Sequence, residues 1–211
     1  MSRSADFEFQ FLKRCKMKKI TVLTAAGFAL IASPAFAHLN PAEHGSFAAG
    51  FSHPFFGADH ILAMVAVGLW AAMLGGRALF IVPAAFVGVM LLGFVAALIG
   101  MPLPFVEPVI LASVVVLGLL VALALPVSPV VGGAIAGFFA FFHGHAHGGE
   151  IGTATFFDYA AGFALATALL HAAGIAIGLG VGRLASGRGG RLALRVAGGA
   201  TALGGLMLMA G

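Results

Sequence analysis

From residue 57 onward the chain is a succession of apolar runs separated by short breaks, six in all, at about 57–75, 78–100, 105–125, 130–147, 153–182 and 191–210. Each is long enough to cross the hydrocarbon of a bilayer as a helix, which takes roughly 20 residues. The breaks contain the residues that punctuate helices: Gly75, Gly76 and Arg77; Met101, Pro102, Leu103 and Pro104; Pro126, Val127, Ser128 and Pro129; the glycines around His147; and 186–190. This pattern predicts an all-α fold, a polytopic membrane bundle of six transmembrane helices. Gly133 and Gly137, and Gly174, Gly178 and Gly182, recur at every fourth position, so small residues form stripes along which neighbouring helices can approach closely. No internal repeat is evident, which gives no support to an inverted-repeat transporter.

The segment before these runs reads as an export signal. Lys18 and Lys19 follow Met17, an apolar run occupies 20–31, and Ala35 and Ala37 form a small-x-small cleavage site. The run is shorter than a membrane span, so the expectation is a cleaved signal peptide and a mature start at His38. An uncleaved signal anchor is the alternative. Residues 1–16 carry Arg3, Lys13, Arg14 and Lys16 without an apolar face, so Met17 is a second candidate start. The chain thus divides into a presequence, 1–37, and a six-helix transmembrane domain, 38–211.

Composition explains why lipid must be the solvent. The 211 residues are 61% hydrophobic and 9% charged, whereas soluble domains are about 45–50% apolar and about 25% charged. A soluble enzyme and a disordered chain are both excluded, and one Cys excludes a disulfide framework or a cysteine-built zinc site. The formal charge of +4 belongs to the presequence, because residues 1–37 hold six of the eleven basic and two of the seven acidic residues. With five of each left, no electrostatic case for a nucleic-acid partner remains. If export places His38 outside, the odd-numbered spans run inward, and Arg77, Arg183, Arg188 and Arg191 all follow odd spans. The positive-inside rule then agrees with the export signal, leaving Glu43, Glu107, Glu150 and Asp158 on the outer side.

All eight His lie beyond residue 37, in a chain with few other polar side chains. The first cluster runs from His53 through Asp59 and His60 into the first span. If Pro54 sits in a first helical turn, His53 and His60, seven residues apart, share a helix face. A carboxylate such as Asp59 at a span end is costly unless paired, hydrated or metal-bound. Met64 is either packing or a weak thioether ligand. The second cluster is His143, His145, His147 and Glu150. Spacings of four and three stack His143, His147 and Glu150 on one face if the helix persists through Gly144, Gly148 and Gly149, while His145 points elsewhere; a loop is the alternative. Both clusters converge at the outer surface with Glu107, His38 and His44. Imidazole with carboxylate and no thiolate suits nickel, cobalt, copper or zinc. His171, in the middle of the fifth span, reads either as an inner relay for ion or proton or as a buried His bonded to a carbonyl.

The two clusters resemble the signatures of the HupE/UreJ family of bacterial membrane proteins: His-x5-Asp-His, here His53 to His60, and Phe-His-Gly-x-Ala-His-Gly-x-Glu, here Phe142 to Glu150. The resemblance implies a signal peptide followed by six spans, nickel supply to hydrogenase or urease, and His53, Asp59, His60, His143, His147 and Glu150 as motif residues. His38, His44, Glu107 and His171 are added from position and charge, and the step from divalent metal to nickel rests on the resemblance. The expectation is a non-enzymatic secondary permease of the bacterial inner membrane, its mature N-terminus periplasmic. It would take up Ni(II), with Co or Zn as further candidates, and hold no permanent cofactor. No phosphate-cradling loop ending in Lys-Ser/Thr is present for ATP-driven coupling. The alternatives are a membrane-embedded zinc metallohydrolase and a metal-binding accessory protein without transport.

Overall fold

The computed structural model describes residues 46–149, 151, 155–185 and 187–211. The expected presequence, its cleavage site and the candidate ligands His38, His44 and Glu150 lie outside the described residues.

Seven helices follow one another, with no strand among the described residues: α1 Ser46–Ser52, α2 Ala58–Leu74, α3 Ala78–Leu98, α4 Val106–Leu123, α5 Pro129–Gly149, α6 Phe156–Leu184 and α7 Arg188–Ala210, with a 3-10 turn, His53–Phe55, between α1 and α2. The helix ends fall where the breaks predict. Gly75 and Gly76, at φ 71° and 51°, let the chain leave α2 through a left-handed conformation that residues with a Cβ seldom adopt. Pro129 opens α5, where its missing N–H costs no helical hydrogen bond.

Five helices, α3 to α7, are individually long and apolar enough to cross a membrane. The six expected spans are reached when the first of them is a broken one. The α2 helix has only 17 residues and meets the test only together with the α1 segment, from which it bends by 77°. Pro54 at the head of the 3-10 turn and Gly57 in extended backbone cause the break.

The bundle is organised around α2, whose Ala63, Met64, Ala66, Val67, Trp70 and Ala71 are fully buried. The outer helices turn large apolar side chains outward, among them Phe80, Leu92, Phe138 and Leu203. That arrangement is stable only where lipid meets those faces, so the chain is a membrane protein.

Glycines set the closest approaches. A Cβ at Gly144 would strike the Met90 carbonyl and one at Gly93 the Phe141 carbonyl, joining α3 and α5 in parallel. The α2 and α6 helices meet in parallel at Gly68 and Gly174, and α4 and α7 meet antiparallel at Gly118 and Gly198. The short α1 is joined to α6, with Gly50 against the Tyr159 backbone and Gly162 against the Phe47 carbonyl. Of the stripes expected from sequence, Gly133 and Gly137 face α3 and Gly174 and Gly178 face α2, but Gly182 meets open space.

Candidate metal site

The site begins at the break between α1 and α2. The Phe56 N–H donates to the His53 carbonyl at 3.1 Å, closing the 3-10 turn, and α2 then starts with Asp59 in its first turn, where the helix dipole favours a carboxylate. The His53 and His60 rings stand 6.3 Å apart between centroids. They are brought near one another by the bend, not by the continuous two-turn helix that their spacing suggested. Gly57 makes the fold-back fit, because a Cβ there would lie 2.7 Å from Asp59 Oδ1 and 2.9 Å from His60 Nδ1.

The second cluster is helical. The α5 helix runs through Gly144 and Gly148 to Gly149, which settles the choice between helix and loop in favour of helix. Four residues apart, His143 and His147 share its inner face, with exposures of 0% and 3%. His145 turns away, its Nε2 2.7 Å from the Met101 carbonyl. The inner rings meet those from the α1–α2 break: His147 lies 4.5 Å from His53 and 4.5 Å from His60 between centroids, and His143 lies 4.9 Å from His60. Phe163 of α6, fully buried, closes the group at 4.5 Å from the His147 ring.

The protons in this cluster follow from its neighbours. Asp59 Oδ1 lies 3.0 Å from His60 Nδ1. A carboxylate only accepts, so Nδ1 carries the hydrogen and His60 Nε2 presents a lone pair inward. Ser113 Oγ lies 2.6 Å from the Ile110 carbonyl and 3.0 Å from His143 Nε2. Two oxygens that close need a hydrogen between them, so the hydroxyl donates to Ile110 and accepts from His143 Nε2–H. His143 Nδ1 is thereby left with a lone pair, 3.4 Å from His60 Nε2. His60 Nε2 also receives the Nε2 of His147. Among the described residues no group of three or more His, Cys, Asp or Glu side chains has complete metal-holding geometry.

Comparison with known proteins places the chain in a family. The sequence profile of the HupE / UreJ protein family matches residues 26–208. The chain belongs to the HupE / UreJ family. It is similar to Protein HupE of Rhizobium leguminosarum bv. viciae, 46% identical over 198 residues, which are 93% of this chain and all of that protein. No solved structure matches the chain.

Of the residues singled out from the HupE / UreJ signatures, His53, Asp59, His60, His143 and His147 are thus gathered, and Glu150 lies outside the described residues. Glu107 is exposed in the first turn of α4 and takes no part in these contacts. Met64 is fully buried. His171 stands one layer deeper, edge-on to Phe86 at 5.0 Å, with the other side of that contact continued by His143 at 5.6 Å from Phe86. Neither ring nitrogen of His171 has a hydrogen-bond partner among the described residues, so the carbonyl-bonded alternative does not hold.

Ser113 was not singled out from the sequence, although it is the one hydroxyl in α4 and therefore a visible interruption of an apolar span. Phe163 and Phe86 carried no signal, because the chain holds 20 Phe and most are packing.

Proposed function

We propose that the protein is a secondary permease for a divalent transition-metal ion, capturing it at the His60–His143 pair and passing it inward past Phe86 to His171. One observation carries the reading: Asp59 and Ser113 hold lone pairs of His60 Nε2 and His143 Nδ1 face to face, 3.4 Å apart. In the metal-free site His147 Nε2–H donates to the His60 lone pair, so a cation would take the place of that proton and gather the two acceptors, with His53 bordering the same place. The Asp59–His60 pair is the carboxylate–imidazole arrangement that fixes a ligand's tautomer and raises its basicity.

Family membership makes nickel the first substrate to test, for the maturation of a hydrogenase or urease. Nitrogen ligands alone favour copper over nickel, so selectivity must come from site geometry or from metal availability. His171 supports a second station, since a buried imidazole with both nitrogens unpartnered is costly unless something visits it. In this reading the His cluster faces the periplasm, Arg77, Arg183, Arg188 and Arg191 face the cytoplasm, and the membrane is the bacterial inner membrane. The permease is not an enzyme and holds no resident cofactor.

Uptake into sealed proteoliposomes across a panel of Ni(II), Co(II), Zn(II) and Cu(II) tests the proposal. Accumulation that saturates with Ni(II) and disappears in His60→Ala supports it. Stoichiometric nickel binding without vesicle loading would make the protein an accessory factor, and turnover of a lipid or amide by the zinc-loaded protein would make it a metallohydrolase.

A further inference from the structure

A hydroxyl, a thioether and an imidazole lie together between α3 and α6, inward of the His cluster. Thr167 and His171, four residues apart, share one face of α6, and Phe86 and Met90, also four apart, share one face of α3. The two faces meet in rungs: the His171 ring stands 5.0 Å from that of Phe86, and Thr167 Oγ1 lies 3.7 Å from Met90 Sδ. Thr167 and Met90 are fully buried, and His171 is 1% exposed. Phe163, one turn before Thr167 on the same face, stands 4.5 Å from the His147 ring. The column Phe163, Thr167, His171 therefore descends from the His cluster in steps of about 6 Å.

The bonding of Thr167 sets it apart. Ser52, Ser113 and Thr201 each donate to a carbonyl of the preceding turn in their own helix, the ordinary way for a hydroxyl inside a helix to be satisfied. The Thr167 hydroxyl instead reaches across to α3 and donates to a thioether, a weak acceptor. Its oxygen accepts no hydrogen among the described residues, and both His171 nitrogens, one turn deeper, are likewise without a partner. Such groups are costly in an apolar layer, and Val and Leu would fill the same space without that cost. Packing accounts for Phe86. It does not account for a hydroxyl and an imidazole with idle lone pairs beside a sulfur atom.

We propose that Met90 Sδ, Thr167 Oγ1 and the His171 imidazole form a second cation station, a neutral sulfur, oxygen and nitrogen set suited to soft and borderline ions. It differs from the mouth in charge and in softness. Asp59 backs His60 at the mouth, whereas α3 contains no acidic residue and the one in α6, Asp158, sits in its first turn. Neutral donors hold a dication loosely enough to release it, which conduction requires, and a thioether favours Cu(I) more than imidazole with carboxylate does. The station rests on the permease reading for its place in a route. Its ligand set rests on Met90 and Thr167, which supply the donors that His171 alone lacks.

X-ray absorption of the full-length protein carrying two equivalents of Cu(I) tests the ligand set without requiring transport, in a Cys15→Ser background that removes the one thiol. The first shell should contain sulfur. That sulfur should vanish in Met90→Leu, a nearly volume-conserving change, and persist in Met64→Leu, which removes the buried thioether of α2. In proteoliposomes, Thr167→Val should lower the maximal Ni(II) loading rate about tenfold, the loss of one hydroxyl–ion contact, with affinity at the outer pair unchanged. Thr167→Ser should restore the rate, and this pair carries the test if Met90→Leu does not fold. A first shell without sulfur, or sulfur that survives Met90→Leu, overturns the station. So does wild-type loading by Thr167→Val, the behaviour of a hydroxyl that only packs or holds water. If wild-type vesicles do not load while the sulfur signal follows Met90, the permease reading falls and the station stands as a binding site.

Discussion

Ser113→Ala isolates the proton arrangement on which the metal reading depends. Ser113 is fully buried, and its hydroxyl is the acceptor for His143 Nε2–H at 3.0 Å. Without it, a buried donor loses its partner, at a cost of about 1–3 kcal/mol. The ring escapes much of that cost by moving its hydrogen to Nδ1, where it points across the 3.4 Å gap and shares the His60 Nε2 lone pair with His147 Nε2–H. That exchange largely satisfies the metal-free site and occupies the place where a cation would bind. The bound form has no such escape, so most of the penalty falls on binding. At 1.4 kcal/mol per tenfold, about 1–3 kcal/mol corresponds to roughly 5- to 150-fold weaker affinity. Isothermal titration of the purified protein with Ni(II) measures it directly. Thr201→Val is the matched control: that hydroxyl is also buried but donates only to the Ala197 carbonyl at 3.1 Å in its own helix. Affinity within twofold of wild type in Ser113→Ala would refute the tautomer argument, and an equal loss in Thr201→Val would trace the effect to general loosening.

Three further outcomes follow from the same geometry. Asp59→Asn keeps an acceptor for His60 Nδ1–H but removes its charge, and should weaken nickel binding by about 10- to 100-fold while leaving membrane insertion intact, as measured by titration and membrane fractionation. Gly144→Ala drives a Cβ into the Met90 carbonyl and should cost about 1–3 kcal/mol of stability, seen as a lower unfolding midpoint; Gly149→Ala, with nothing within 4 Å of the new atom, should leave the midpoint unchanged. His171→Leu removes an unpartnered buried imidazole, so the unfolding midpoint should rise while vesicle loading falls and nickel affinity at the outer pair stays at the wild-type value. A fall in both stability and affinity would show that His171 is a structural residue.

The helices were legible in the sequence because lipid imposes a length and a polarity on every span, and glycine and proline mark the exits. The bend at His53–Phe55 was not, since Pro54 is compatible both with the first turn of a long helix and with a separate short turn. Only the packing of α1 on α6 decides between them. The ligand types and their two clusters were readable from His and Asp spacing, as was the inward face of His143 and His147. What spacing cannot convey is the orientation of protons. That depends on Ser113, 30 residues from His143, and on a carboxylate adjacent to its own His. Phe163 and Phe86 were invisible for a different reason: an aromatic ring in an apolar helix has the same sequence signature whether it packs against a neighbour or walls a polar cluster.

The jointed first span divides the ligands between two mechanical parts. His60 rides on α2, but His53 belongs to a segment riveted to α6 backbone-on-backbone at Gly50 and Gly162. His171 is carried by that same α6 helix. Because α2 is itself joined to α6 at Gly68 and Gly174, a displacement of α6 would reach His53 through one pair of glycines and His60 through another, with His171 on the helix that moves.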